Sequence, residues 1–154
     1  MSEHRSEAEE RSSNVTAPRV SGQRPKGAPE DEQPLDLVRR FCDEWSGGDL
    51  DAIVAYFTDD AVYHNIPIDP VTGREAIKAT ISWFTAAVDK IEFRVHHIVA
   101  EGNVVLTERT DVFVAGDKTI ELPVMGTFDV ADGKIAAWRD YFDMNQFMSQ
   151  LPTT

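Results

Sequence analysis

The stretch that decides the fold is IEFRVHHIVAEGNVVLTERTDVFVAGDKTIELPVMGTFDVADGKIAAWRDYF, residues 91–142. Apolar and polar residues alternate through most of it, and short turns that contain glycine divide it at Gly102-Asn103, Gly116-Asp117 and Asp132-Gly133. Alternation interrupted by such turns is typical of long antiparallel strands joined by hairpins. The stretch therefore predicts four consecutive strands: Ile91–Glu101, Val104–Ala115, Lys118–Val130 and Lys134–Phe142.

Outside this stretch the apolar residues follow the spacing of helices. That spacing predicts helices over Leu35–Trp45, Leu50–Phe57, Gly73–Ala87 and Met144–Gln150, with Asp49 as the N-cap of the second. A short strand, Ala61–Asn65, and a loop around Pro67–Pro70 are predicted between the second and third helices. Helices followed by a run of strands indicate the α+β class. We expect a strongly curved, mixed or antiparallel sheet wrapped around the helices, cone-shaped and with an internal pocket.

The composition changes near Pro34. Residues 1–33 are rich in Glu, Arg, Ser, Pro and Gly, and their few apolar residues show no pattern. Such a segment buries too little surface to offset the entropy of ordering it. We predict a flexible N-terminal tail over 1–33 and a single domain over 34–154.

The charge of the chain excludes several classes of partner. Its 154 residues carry a formal net charge of −12, which disfavours nucleic acid and anionic membranes as partners. The single cysteine, Cys42, permits no internal disulfide and no cysteine-based zinc site. No apolar run is long enough to cross a bilayer or to form the core of a signal peptide, so we expect a cytoplasmic protein.

The second predicted strand holds an unusual pair of charges. In the segment TERTDVF, residues 107–113, Arg109 and Asp111 share a face with Val105, Thr107 and Phe113, because side chains alternate across a strand. An Arg and an Asp beside apolar neighbours are expensive to bury unpaired. They are therefore expected to pair with each other or with a third group.

The last strand supplies that third group. Asp140 shares its face with Trp138 and Phe142, and a carboxylate between aromatic rings suggests the wall of a pocket. Tyr63 and Asn65, two residues apart on the first predicted strand, offer a phenol and an amide that are suited to holding a water molecule.

Together these residues form a candidate acid–base site. One guanidinium, that of Arg109, can bridge the carboxylates of Asp111 and Asp140. Two carboxyls in a dry pocket cannot both ionise cheaply, so one acts as an acid and the other as a base. A purely structural Asp–Arg–Asp network on a sheet explains the same spacing, and the sequence leaves both interpretations open.

Further residues are candidates for the lining of the pocket: Trp138, Phe142, Leu122, Met125 and Phe84. His96 and His97 are adjacent, so on a regular strand they face opposite ways and cannot ligate one metal together. The sequence contains no phosphate-binding Gly-rich loop and no other cluster with metal-ligand spacing.

The chain resembles the limonene-1,2-epoxide hydrolases, a branch of the nuclear-transport-factor-like cone folds, over roughly residues 35–151. Four segments carry the resemblance: YHNIP from Tyr63, GREA from Gly73, TERTDV from Thr107 and WRDYFD from Trp138.

The resemblance implies a cofactor-free, one-step addition of water to a small apolar epoxide, giving a vicinal diol without a covalent intermediate. By position, Tyr63 and Asn65 would hold the water, Asp140 would be the base, Asp111 the acid and Arg109 the bridge. The resemblance also implies a homodimer formed through the outer face of the sheet.

Two other functions remain open at this stage. Ketosteroid isomerases and polyketide cyclases use an acidic residue in a similar cone, for proton transfer or ring closure. Other domains of this fold bind small ligands without chemistry, since a fold alone does not decide function.

Overall fold

A computed structural model describes residues 32–151. The predicted N-terminal tail, apart from its last two residues, lies outside the described part. The helices are α1 (Pro34–Glu44), α2 (Leu50–Val54), α3 (Arg74–Thr85) and α4 (Met144–Gln150), and a 3-10 turn (Trp45–Gly47) follows α1. The strands are β1 (Phe57–Asn65), β2 (Val71–Thr72), β3 (Lys90–Glu101), β4 (Val104–Ala115), β5 (Lys118–Ala131) and β6 (Lys134–Tyr141).

The strands form one six-stranded sheet in the order β2-β1-β6-β5-β4-β3. β1 and β6 run parallel, and every other neighbouring pair is antiparallel. The sheet is therefore mixed, and the α+β class predicted from the sequence is confirmed. The parallel pair matters for function, because it places the end of the first strand beside the end of the last.

The core lies between the inner face of the curved sheet and the early helices. Phe41 of α1 is fully buried, and its ring packs edge-on against Phe57, Phe128 and Trp138. These aromatic rings fill the closed part of the cone. A second apolar cluster is separate from this core and contains Phe113, Ile120, Leu122 and Val124.

Two boundaries differ from the prediction. Phe57 was assigned to the second helix but begins β1, where it pairs with Ile135 of β6 and its ring is fully buried. The reason is that Phe57 belongs to the aromatic core, and its burial there favours a strand over a longer α2, which ends at Val54. Val71–Thr72, in the predicted loop region, pairs with β1 as a two-residue strand. Asp49 caps α2 as predicted, because its carboxylate accepts the Ala52 N–H at 3.2 Å.

The prediction that His96 and His97 face opposite ways is wrong. The pairing register of β3 with β4 shifts between Val95 and His97, which makes His96 the extra residue of a β-bulge. Both imidazoles therefore lie on the outer face, where His96 is 2.7 Å from the Thr110 hydroxyl and His97 is 2.8 Å from the Glu108 carboxylate. Within residues 32–151, no group of three or more His, Cys, Asp and Glu side chains is arranged to hold a metal ion.

None of the helices in the described part of the chain is both long and apolar enough to cross a membrane.

Candidate active site

A buried arginine occupies the centre of the inner face of the sheet. Arg109 of β4 is 1% exposed. Its Nε and Nη2 donate to the two oxygens of Asp111 at 2.7 and 3.1 Å. Nη2 also donates to Asp140 Oδ2 at 2.5 Å, so one guanidinium joins two carboxylates from strands that are far apart in sequence. A network of this kind is rigid, because each side chain is held at more than one point.

The third nitrogen and the planar face of the Arg109 guanidinium also have partners. Arg109 Nη1 donates to the buried Thr107 hydroxyl at 3.1 Å, and the Phe93 ring lies 4.6 Å from the guanidinium carbon. Burial by itself would lower the pKa of Arg109, but Asp140 and Asp111 outweigh it and raise that pKa well above its usual value. The arginine therefore stays charged.

Asp140 is held by a second donor. Trp138, two residues earlier on β6, donates its indole N–H to Asp140 Oδ1 at 2.6 Å. The indole is fully buried, and the Tyr63 ring stacks on it with a centroid separation of 4.4 Å. Each carboxylate oxygen of Asp140 thus accepts a hydrogen bond from a different fixed group.

The parallel pairing of β1 and β6 places Asn65 directly beside Asp140, and Tyr63 beside Trp138. The Tyr63 hydroxyl donates to Asn65 Oδ1 at 3.2 Å, which leaves the Asn65 amide N–H groups free to donate into the cavity. Burial raises the pKa of Tyr63 above its usual value, so the phenol stays protonated. Phenol and amide together can hold one water molecule next to Asp140.

Both carboxyls bind a proton more tightly than a carboxyl in water. Burial raises the pKa of Asp111 to about 6, against the opposing effect of Arg109. Burial also raises the pKa of Asp140, while Arg109 and the Trp138 N–H lower it. Because one guanidinium links the two groups, they titrate as a pair. One acid and one base at the same site is the state that acid–base catalysis requires.

The pair opens into a cavity of about 290 Å³. Asp111 and Asp140 are each 4% exposed, and among the described residues they are the only charged ones that line it. The other polar lining residues are Tyr63, Asn65 and Thr80. The rest of the wall is apolar and comprises Ile68, Trp83, Phe84, Phe93, Phe113, Leu122, Val124, Phe142, Met144, Phe147 and Met148.

The structure therefore brings the five predicted catalytic residues together, four on the cavity wall and Arg109 beneath it. Of the predicted lining residues, Phe84, Leu122 and Phe142 lie on the wall.

Two predicted lining positions are wrong. Met125 is three residues from Leu122, so it lies on the opposite, outer face of β5 and is 49% exposed. Trp138 is fully buried beneath Tyr63 and does not reach the cavity, because the aromatic core surrounds it.

Sequence reasoning missed the contribution of Gly126. A Cβ at this position would overlap Arg109 Nη1 and would lie 2.7 Å from Asp140 Oδ1 and 2.9 Å from Thr107 Oγ1. The network therefore occupies the space that a side chain would need. A glycine inside a strand often marks such a close approach, and that signal was available in the sequence. The cavity wall formed by α4 had no comparable signal.

Comparisons with known proteins agree on the family. The family model described as the limonene-1,2-epoxide hydrolase catalytic domain matches residues 32–153. Epoxide hydrolase EphG of Mycobacterium tuberculosis is 34% identical over 114 residues, which cover 74% of this chain and 76% of that protein.

Solved structures agree on the fold. A LEH-like epoxide hydrolase from M. tuberculosis superposes with a TM-score of 0.68 at 33% identity, covering 77% of this chain and 88% of that one. A hypothetical protein with a ketosteroid isomerase-like fold from Catenulispora acidiphila superposes equally well, with a TM-score of 0.68 at 19% identity, covering 76% and 94%. The second likeness concerns the fold alone.

Proposed function

The chain belongs to the limonene-1,2-epoxide hydrolase family, and from this premise we propose that it adds water to an apolar epoxide to give a vicinal diol. One observation carries the proposal: the Asp111–Arg109–Asp140 network is buried yet opens into a cavity that is otherwise almost wholly apolar. A purely structural ion network has no need of a cavity. Hydrolysis of an apolar epoxide needs an acid, a base and an apolar pocket, and the two carboxyls and the apolar wall are suited to supply them.

Asp140 is the proposed general base. Its neighbours Asn65 and Tyr63 can hold the attacking water, whereas Asp111 lies on the other side of the guanidinium and pairs across the sheet with Phe93 and Leu122. Asp140 takes a proton from that water as the water oxygen attacks an epoxide carbon. The hydrogen bond from Trp138 favours the ionised form of Asp140, which is the form that a base requires.

Asp111 is the proposed general acid. Burial raises its pKa to about 6, so Asp111 is protonated below that pH and a minor fraction of it keeps the proton at neutral pH. As the carbon–oxygen bond of the epoxide breaks, Asp111 donates this proton to the leaving oxygen, because an unprotonated alkoxide is a poor leaving group. General acid and general base catalysis typically contribute about 10²–10⁴-fold each.

After one turnover Asp140 carries a proton and Asp111 does not. The original state returns when a proton passes from one carboxyl to the other through water in the cavity. Arg109 stabilises either arrangement, since its Nη2 donates to both residues. No protein–substrate bond forms in this scheme.

The test is hydrolysis of a panel of apolar epoxides, with the diol as the detected product. The wild type should form diol, and Asp140→Asn should lose about 10²–10⁴-fold in kcat/KM while keeping an oxygen for Arg109. Asp129→Asn is the matched control, because Asp129 pairs with Arg139 at a partly exposed site of the same sheet and should leave kcat/KM unchanged.

Three outcomes contradict parts of the proposal. Equal activity of wild type and Asp140→Asn would show that Asp140 is not the general base. A single turnover in isotopically labelled water that leaves the label in the protein would show a covalent ester and exclude the one-step mechanism. Absence of diol from every epoxide, with the protein folded, would favour isomerase, cyclase or binding functions.

We further propose that two copies of the chain pair through the outer face of the sheet. Apolar side chains are exposed there on neighbouring strands, namely Val99, Leu106, Met125 and Tyr141. Sedimentation should give a dimer for wild type and a monomer for Leu106→Glu, with Glu101→Gln as the control that stays dimeric. A monomeric wild type at micromolar concentration would contradict this.

A further inference from the structure

The cavity has a closed end and an open end of different character. The carboxyls of Asp111 and Asp140 lie at the closed end, where each residue is 4% exposed. Three apolar residues line the same cavity and are nonetheless exposed to solvent: Trp83 by 81%, Met148 by 55% and Ile68 by 47%. They come from α3, α4 and the loop between β1 and β2, and we call them the rim.

Among the described residues, the wall between the closed end and the rim offers little to a polar group. Its one polar side chain outside the proposed catalytic residues is Thr80, whose hydroxyl donates its proton to the Ala76 carbonyl of its own helix at 2.9 Å and so can only accept. Except beside the Thr80 oxygen, a hydroxyl or amide on the substrate, away from the epoxide, would lose its water without gaining a side-chain partner. The substrate is therefore apolar along its whole length within the cavity.

The cavity has a limited volume. A water molecule, which is close in size to a methylene group, takes about 30 Å³ of the liquid, so a cavity of about 290 Å³ holds roughly ten non-hydrogen atoms. Any further carbon of a longer substrate would lie against the rim. The rim continues the apolar wall of the cavity outward, which is the surface that such a chain needs.

We propose that this site takes an elongated, wholly apolar epoxide, with the ring at the closed end and the chain leaving between Ile68, Trp83 and Met148. The inference rests on the proposed hydrolysis and adds the shape of its substrate. A lipid bilayer is the less suitable occupant of the rim, because the chain has a formal net charge of −12 and anionic headgroups would repel it.

The first test is a chain-length series of terminal epoxides, from epoxyhexane to epoxytetradecane, kept below their aggregation concentrations. Full burial of one methylene group is worth about fourfold in binding, and contact on one side about half of that free energy. We therefore expect kcat/KM to keep rising by roughly twofold per methylene after the cavity is filled. Trp83→Ser should reduce the ratio of kcat/KM for epoxytetradecane to that for epoxyoctane, and Ser82→Ala, at an exposed position of the same helix outside the cavity lining, should not.

The second test does not depend on turnover. The chain contains three tryptophans, of which Trp45 and Trp138 are buried and Trp83 is exposed. Long-chain terminal diols, the products of the proposed reaction, should shift the Trp83 emission to shorter wavelength and protect it from a soluble quencher, and short-chain diols should not. Trp83→Phe should abolish the difference.

The outcomes separate this inference from the proposed function. Turnover of short epoxides with no gain beyond the capacity of the cavity, and no protection by long diols, would overturn the elongated substrate and leave hydrolysis intact. If no epoxide is turned over but long diols protect Trp83, the rim still binds elongated apolar molecules, and the proposed hydrolysis is wrong. Protection by neutral phospholipid vesicles but not by monomeric diols would assign the rim to a membrane surface and overturn the inference.

Discussion

A single methyl group at Gly126 should disrupt the site more than the loss of many larger side chains. Gly126 lies on β5 between Thr107 of β4 and Asp140 of β6. The added Cβ would overlap Arg109 Nη1 and would lie 2.7 Å from Asp140 Oδ1 and 2.9 Å from Thr107 Oγ1. All three neighbours are buried and belong to one hydrogen-bonded network, so none can move without breaking a bond.

The size of the effect follows from this crowding. Overpacking of a buried site usually costs about 1–3 kcal/mol, and loosening a buried ion pair adds to it. We expect Gly126→Ala to lower the free energy of unfolding by about 3 kcal/mol, which for a domain of this size lowers Tm by roughly 10 °C. A displacement of the catalytic groups by about 1 Å should lower kcat/KM by about 10²-fold.

Gly47→Ala is the matched control. The nearest heavy atom to a Cβ at Gly47 is the flexible Glu44 carboxylate at 3.9 Å, and the backbone conformation there suits alanine. A compatible Gly→Ala change stabilises by about 0.4–1 kcal/mol through the unfolded state. Thermal unfolding and epoxide hydrolysis of both variants provide the comparison. If Gly126→Ala keeps the Tm and the activity of wild type, the network has room to move and our view of its rigidity is wrong.

Three other perturbations test the electrostatics of the site. Because burial raises the pKa of Asp111 to about 6, the folded state binds protons more tightly than the unfolded chain above about pH 4. The contribution of Asp111 to the free energy of unfolding is fully present below about pH 4 and is lost as pH rises through about 6. The urea midpoint should therefore fall between about pH 4 and pH 6, and Asp111→Asn should make the midpoint depend less on pH. The same ionisation removes the acid, so kcat/KM should also fall above about pH 6; a pH-independent rate to pH 9 would refute this role. Trp138→Phe removes the N–H donated to Asp140 and thereby raises the pKa of Asp140, so the acid limb of kcat/KM should move to higher pH; an unchanged limb would mean that the indole only fills space. Thr107→Val leaves a buried N–H of Arg109 unpaired and should cost about 1–3 kcal/mol in urea unfolding, whereas Thr107→Ser should lose less; equal losses would show that the hydroxyl is unimportant.

The sequence by itself determined which side chains share a face along one strand. The two-residue period placed Arg109 with Asp111, and Tyr63 with Asn65, because alternation is a local property of extended backbone. The same rule places Leu122 and Met125 on opposite faces, so the expectation that both line the pocket conflicted with information already in the sequence. The rule fails at His96, because a bulge in β3 puts His96 and His97 on the same face of the sheet.

Only the tertiary structure decided how residues from different strands meet. Nothing local to Asn65 or Asp140 indicates that β1 and β6 lie side by side in parallel, yet that register brings Tyr63 and Asn65, the proposed water-holding pair, to the proposed base. Burial raises the pKa values of Asp111 and Asp140 against the opposing effect of one shared guanidinium, and both effects depend on groups distant in sequence. The rim likewise joins α3, α4 and a loop. Periodicity acts over a few residues, whereas desolvation, charge coupling and cavity shape arise only when separate elements pack against one another.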